Sequence, residues 1–178
     1  TQGISMAGSG VANTLTGGAG DDTIDGGGGA DTIDAGAGDD NVSYRGGEIL
    51  LDGGTGSNTL VLRSAALVDL AATDATVGDA TNVIGFSNVS AASLTTGVTL
   101  SGSSGDNVIT GGAGGDTIDG SGGIDTITAG GGNDTVTWRG IEALIDGGAG
   151  NDTLVVIGSG GIASLNLSAP TNADQSSG

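Results

Sequence analysis

An aliphatic residue returns at a nine-residue beat twelve times in this chain, and that beat limits what the chain can fold into more than any other feature. Starting at Gly8, six consecutive nonapeptides occupy 8–16, 17–25, 26–34, 35–43, 44–52 and 53–61. Six more follow 94 residues later, at 102–110, 111–119, 120–128, 129–137, 138–146 and 147–155. The eighth residue of the units is Leu15, Ile24, Ile33, Val42, Leu51, Leu60, Ile109, Ile118, Ile127, Val136, Ile145 and Leu154, without exception. A disordered glycine-rich linker does not hold such a phase through degenerate loops. Positions 7 to 9 read as a three-residue strand whose central side chain points inward, and position 7 is threonine in eight units, as β propensity favours. One unit is then half a coil, and two make an 18-residue turn of a solenoid. Composition agrees, because a 178-residue chain with 40 glycines, one proline and 2% aromatic residues can fill a thin core but not a thick one.

Positions 1 to 6 form the loops, most regular from Gly17 to Ser43: GGAGDDTID, GGGGADTID, AGAGDDNVS. The pattern is G-G-x-G-x-D-x-U-x, with U a large aliphatic residue. Glycines at positions 2 and 4 let the backbone take positive φ and bring its carbonyls near one point; they are Gly18, Gly20, Gly27, Gly29, Gly36, Gly38, Gly112, Gly114, Gly130, Gly132, Gly148 and Gly150. Position 6 adds a hard anionic oxygen in Asp22, Asp31, Asp40, Asp116, Asp125, Asp134 and Asp152, and an amide in Asn13, Asn58 and Asn107. Carboxylate beside carbonyl oxygen is the ligand set of Ca²⁺, so these residues are the candidate metal ligands. Loops two units apart stack on one side. Asp22 is therefore expected beside Asp40, Asp116 beside Asp134, Asp134 beside Asp152, Asn13 beside Asp31 and Asn107 beside Asp125, with about six to eight ions between coils.

The units at 17–25, 26–34, 111–119, 120–128 and 147–155 closely resemble the calcium-binding nonapeptides of the repeats-in-toxin (RTX) family. The resemblance implies an all-β fold, a right-handed parallel β-roll or β-helix solenoid that folds on calcium, usually in bacterial proteins exported by type I secretion.

A net charge of −18, with three arginines and no lysine, argues against nucleic acid or an anionic membrane as partner and makes cations the natural counterpart. No run of residues approaches a membrane span, so membrane insertion is not expected. Without cysteine or histidine the chain has no disulfides and no zinc, copper or haem site of the usual kind. The same absences, with no lysine, argue against an enzyme. The opening TQGISMAGSG has neither an initiator methionine nor the regions of a signal peptide, and the chain reads as an excerpt of something larger.

Two stretches break the pattern. The fifth units, YRGGEILLD from Tyr44 and WRGIEALID from Trp138, lose the loop glycines and place Ile49 and Ala143 at position 6; Glu48 and Glu142 are expected to pair with Arg45 and Arg139, or to complete a modified site beside the third unit's loop. Residues 62–101 hold few glycines, but LVDL at 67–70, NVIGF at 82–86, SNVSA at 87–91 and GVTLSG at 97–102 read as strands. The expected organisation is a lead-in at 1–7, a calcium module at 8–61, metal-free rungs at 62–101, a second module at 102–155, and a cap with a flexible end over 156–178. Asp25, Asp34, Asp52, Asp119 and Asp146 at position 9 read as a solvated face, with a capping role or support of the neighbouring metal ligands as the alternative.

The function these features point to is a calcium-folded structural module of a secreted or cell-surface bacterial protein, of adhesin or surface-layer type, acting as a stiff spacer beside neighbouring domains or copies. The alternative is an ice-binding face built on the outward threonines of TLT at 14–16, TIT at 126–128 and TVT at 135–137.

Overall fold

The computed structural model describes residues 2–157, together with the antiparallel strand pair Ser164–Leu165 and Ser176–Ser177. Each triplet at positions 7 to 9 forms a strand, and strands 18 residues apart pair in parallel, so that Ile24 lies beside Val42 and Ile33 beside Leu51. The product is an all-β parallel solenoid, with no helix among the described residues.

One face is a single eight-stranded sheet that runs through both modules. It contains β1 (Ser5–Ser9), β3 (Thr23–Gly27), β5 (Asn41–Tyr44), β7 (Thr59–Leu62), β10 (Asn88–Ser90), β12 (Val108–Thr110), β14 (Thr126–Thr128) and β16 (Leu144–Asp146). The opposite face has a four-stranded sheet of β2 (Thr14–Ala19), β4 (Thr32–Ala37), β6 (Leu50–Asp52) and β9 (Asn82–Ile84). It continues as a five-stranded sheet of β8 (Leu67–Asp69), β11 (Thr99–Ser101), β13 (Thr117–Asp119), β15 (Thr135–Trp138) and β17 (Thr153–Val156). The alternating pleat turns position 8 inward on every strand, and the two faces close on two files of aliphatics. Nine of the twelve position-8 side chains are buried; Leu15, Ile145 and Leu154, in the outer turns, are partly covered. Each buried one contributes about 1.5–3 kcal/mol.

All four strands expected between the modules form, but their order is not that of simple rungs. After β7 the chain lays down β8 ahead, reverses, and returns to place β9 behind it. Between the two runs a short antiparallel stretch: Thr76 bridges Val68, while the amide of Val77 donates to Leu67 O at 3.0 Å and that of Ala75 to Val83 O at 2.8 Å. This stretch stitches the two back sheets together. Residues 71–80, AATDATVGDA, supply no buried large aliphatic; Val77 is 53% exposed. Asp69, Asp74 and Asp79 instead accept the amides of Ala71, Thr76 and Thr81, turning the chain three times. Two successive strands on one face exchange the faces thereafter. Strands of the first, third and fifth units lie on the four-stranded sheet in the first module and on the eight-stranded sheet in the second.

The capping role expected of 156–178 falls, beyond Ile157, outside the described residues apart from the short strand pair, as does the end from Ala169.

Candidate metal centres

Each loop joins the faces along one of the two edges of the solenoid, and eight of them, carrying Asp22, Asp31, Asp40, Asn58, Asn107, Asp116, Asp125 and Asp134, bury the position-6 side chain. Stacking by one turn sets its partner: Asp22 N–H donates to Asp40 Oδ1 at 2.7 Å, Asn13 N–H to Asp31 Oδ1 at 2.8 Å, and Asn107 N–H to Asp125 Oδ1 at 2.9 Å. Asp116 N–H and Asp134 N–H donate likewise to Asp134 and Asp152. The five expected pairs are thus neighbours. A second latch, which the sequence reading missed, runs the other way from position 5: Asp39 N–H donates to Asp21 Oδ1 at 2.9 Å, Ser57 N–H to Asp39 Oδ1, Ile124 N–H to Asp106 Oδ1 and Asn151 N–H to Asn133 Oδ1. Asp or Asn at position 5 in five units was the available signal.

The other carboxylate oxygen is where the loops differ. Oδ2 of Asp22, Asp31, Asp40, Asp125 and Asp134 is buried and has no hydrogen-bond partner. An unpaired buried polar atom costs about 1–3 kcal/mol, more when charged, so five place on the order of 5–15 kcal/mol against folding, as much as a whole domain's stability. Burial pushes the carboxyls of Asp40, Asp125 and Asp134 above the ordinary range, and neighbouring negative charges add to it against the single stacked N–H. Asp116 differs, since its Oδ2 accepts Gly112 N–H at 2.7 Å. Asp152, in the last turn, is exposed.

Ten of the twelve glycines singled out at positions 2 and 4 have positive φ, Gly36 at 103° with the Gly18 carbonyl where a Cβ would stand. Gly112 and Gly114 do not, in keeping with the closed Asp116 loop. No three acidic side chains converge on a point among the described residues, so a cation in these loops would need backbone carbonyls beside the position-6 carboxylates. Orphaned anionic oxygen in glycine-built loops fits a hard, oxygen-seeking ion.

Asn58 and Asn107 occupy the same position but are satisfied at both ends. Asn58 Oδ1 accepts Asp40 N–H at 2.9 Å and its Nδ2 donates to Gly85 O at 2.9 Å; Asn107 Oδ1 accepts Ser103 N–H at 2.7 Å and its Nδ2 donates to Ser87 O at 2.6 Å. Asn13 Oδ1 accepts Ser9 N–H.

The fifth units correct the expected ion pairs. Glu48 turns back on its own loop, taking the amides of Arg45, Gly46 and Gly47 at 2.8, 2.9 and 3.0 Å, and Glu142 takes those of Arg139, Gly140 and Ile141 in the same way. These loops hold an anion, so their polarity is the reverse of a cation site. Arg45 reaches back one turn to Asp25, Nε to Oδ1 at 2.9 Å and Nη2 to Oδ2 at 2.7 Å; Arg139 grips Asp119 equally, at 3.0 and 2.6 Å. The Arg45 bond holds the Asp25 carboxyl below its usual value. Burial works to raise that of Asp119, but Arg139 and the Ser121 amide outweigh it. Position 9 is therefore not merely a solvated face: Asp25, Asp52, Asp119 and Asp146 each cap the amide two residues on.

The family model of the RTX calcium-binding nonapeptide repeat matches the chain in four copies, at residues 8–42, 99–127, 111–137 and 144–155. No curated protein matches it.

Proposed function

Since the chain belongs, through its nonapeptides, to the RTX calcium-binding repeat family, we propose that it is a calcium-folded, non-catalytic rod of a secreted or cell-surface protein. The observation that carries this is the set of five buried carboxylate oxygens without a partner, on Asp22, Asp31, Asp40, Asp125 and Asp134. Calcium supplies the positive charge these oxygens lack and relieves the repulsion between stacked carboxylates. The residues that would hold it are those five aspartates with Asp152 and the carbonyls of the surrounding glycine loops. The five orphaned oxygens mark the loops to be filled first, toward a total of about six to eight ions.

The spacer role rests on continuity: the eight-stranded sheet passes from one module to the other without a break. An extracellular setting supplies calcium at the roughly 0.1–1 mM that such modules use, and aspartate turns that stay unfolded where calcium is scarce are suited to export through a secretion channel. The ice-binding reading has less support, because TLT at 14–16, TIT at 126–128 and TVT at 135–137 lie on three different sheets.

Native mass spectrometry tests the calcium reading. The protein should retain several calcium ions, with at least one lost in Asp40→Ala and in Asp134→Ala; a chain that retains none refutes it.

A further inference from the structure

The orphaned oxygens are not spread evenly along the rod. Those of Asp22, Asp31 and Asp40 lie in the first turns and those of Asp125 and Asp134 in the last, and among the described residues none lies between Asp40 and Asp125. Throughout that interval a side chain does what an ion would otherwise do. The Glu48 carboxylate closes its loop on three amides. The Asn58 and Asn107 side-chain amides donate to the carbonyls of Gly85 and Ser87. The Asn88 amide bridges two turns, taking Val108 N–H at 2.8 Å and giving to Ser57 Oγ at 3.0 Å. A backbone N–H on the oxygen side and an acceptor oxygen on the nitrogen side fix the orientation of each of these amides. Ser93 donates to Leu62 O at 3.1 Å, and Gly112 N–H satisfies Asp116. Beneath them Tyr44 donates to Asp79 at 2.9 Å, tying the stitch to the first module.

The same interval holds the richest core. Besides the position-8 files it buries Leu62, Leu70, Phe86 and Val98, where the outer turns bury little beyond one aliphatic per strand.

We infer that residues 44–116 form a hub that folds without a metal ion, and that the calcium-dependent turns grow from it in both directions. The inference rests on the calcium reading of the aspartate loops. In a solenoid each turn contacts only its neighbours, so order propagates from whichever turns are stable alone. The hub offers a ready template at each boundary: Asn58 Oδ1 accepts the Asp40 backbone N–H, and the Asn107 backbone N–H donates to Asp125 Oδ1. Asparagine at these boundary positions is then the substitution of an amide donor for a cation, while aspartate begins one turn further out.

Hydrogen exchange read by mass spectrometry on the whole chain, in chelator and in calcium, tests this. In chelator, peptides within 59–101 should exchange at least about tenfold more slowly than unstructured chain, while peptides within 17–43 and 120–137 exchange as unstructured and become protected only in calcium. The double variant Asn58→Asp, Asn107→Asp should lose the central protection in chelator and regain it in calcium. If 59–101 exchanges as fast as the ends in chelator and all regions gain protection together, the hub is overturned and calcium-coupled folding stands. Protection of the ends in chelator would overturn the calcium reading, and the hub with it.

Discussion

Replacing Asp125 by asparagine should stabilise the metal-free protein and blunt its response to calcium. Asp125 is fully buried; its Oδ1 accepts Asn107 N–H at 2.9 Å and its Oδ2 has no partner. Asparagine keeps the acceptor and puts an amide donor where the orphaned oxygen stood, the arrangement Asn58 and Asn107 already have. Removing one buried unpaired anionic oxygen relieves about 1–3 kcal/mol in chelator. An ion at about ten to a hundred times its dissociation constant contributes roughly 1.4–2.7 kcal/mol per site, and the variant forfeits that. The two terms nearly cancel in calcium, leaving saturated stability within about 1.5 kcal/mol of the parent, or roughly 3–6 °C in Tm at about 2–4 °C per kcal/mol. The assay is folding driven by trimethylamine oxide in chelator, followed by circular dichroism, beside melting in calcium. The variant should need less osmolyte in chelator and show a shallower rise of Tm with calcium. Equal destabilisation in both conditions would refute the reasoning, since it would make Asp125 a structural acceptor only.

Asp125→Ala, which also removes the acceptor, should move the calcium midpoint of folding far more than Asp119→Ala; the latter should lose about 1–2 kcal/mol of cap and exposed ion pair, read by melting in saturating calcium and by osmolyte-driven folding in chelator. In chelator, osmolyte-driven folding should become easier as pH is lowered from neutrality toward the ordinary carboxylate range. The raised carboxyls of Asp40, Asp125 and Asp134 hold protons that the unfolded chain, with carboxylates near about 3.9, has released, so stability falls as pH climbs through their folded values. Glu48→Ala takes a buried carboxylate from three amides and should cost roughly 1–3 kcal/mol by thermal melting, whereas Glu142→Ala, where the glutamate is more open, should cost less. Ile127→Ala, in the middle of its file, should cost about 2–5 kcal/mol, and Leu154→Ala, in the outermost strand, under about 2.

The repeating part of the fold was legible because a single local rule, an inward aliphatic every nine residues, decides it: the files that run through Ile24, Val42 and Leu60, and through Ile33 and Leu51, follow from phase alone. The exchange of β8 and β9 was not legible, because LVDL and NVIGF are equally good strands and their order is set by which edge each finds, through the Thr76 stitch. The arginines were misassigned for a related reason. Glu48 is three residues from Arg45 in sequence, but its carboxylate is drawn into its own loop's amides. Asp25 is twenty residues away, yet one turn of 18 brings it beside Ser43, two residues short of Arg45. At the site, position 6 could be read as a ligand position, but aspartate and asparagine look like stronger and weaker versions of one ligand until the partner of the second side-chain atom is known. Asn58 has one and Asp40 does not.

A calcium titration followed by far-ultraviolet circular dichroism and hydrodynamic radius tests the central claim most directly, with magnesium as control. More than half of the β-sheet signal and most of the compaction should appear only as calcium is added, with the share carried by the seven strands β6 to β12 of the central turns already present and little gained from magnesium, whose strict octahedral demand such carbonyl loops do not meet. A chain with the same compact radius and the same spectrum in chelator as in calcium would contradict it.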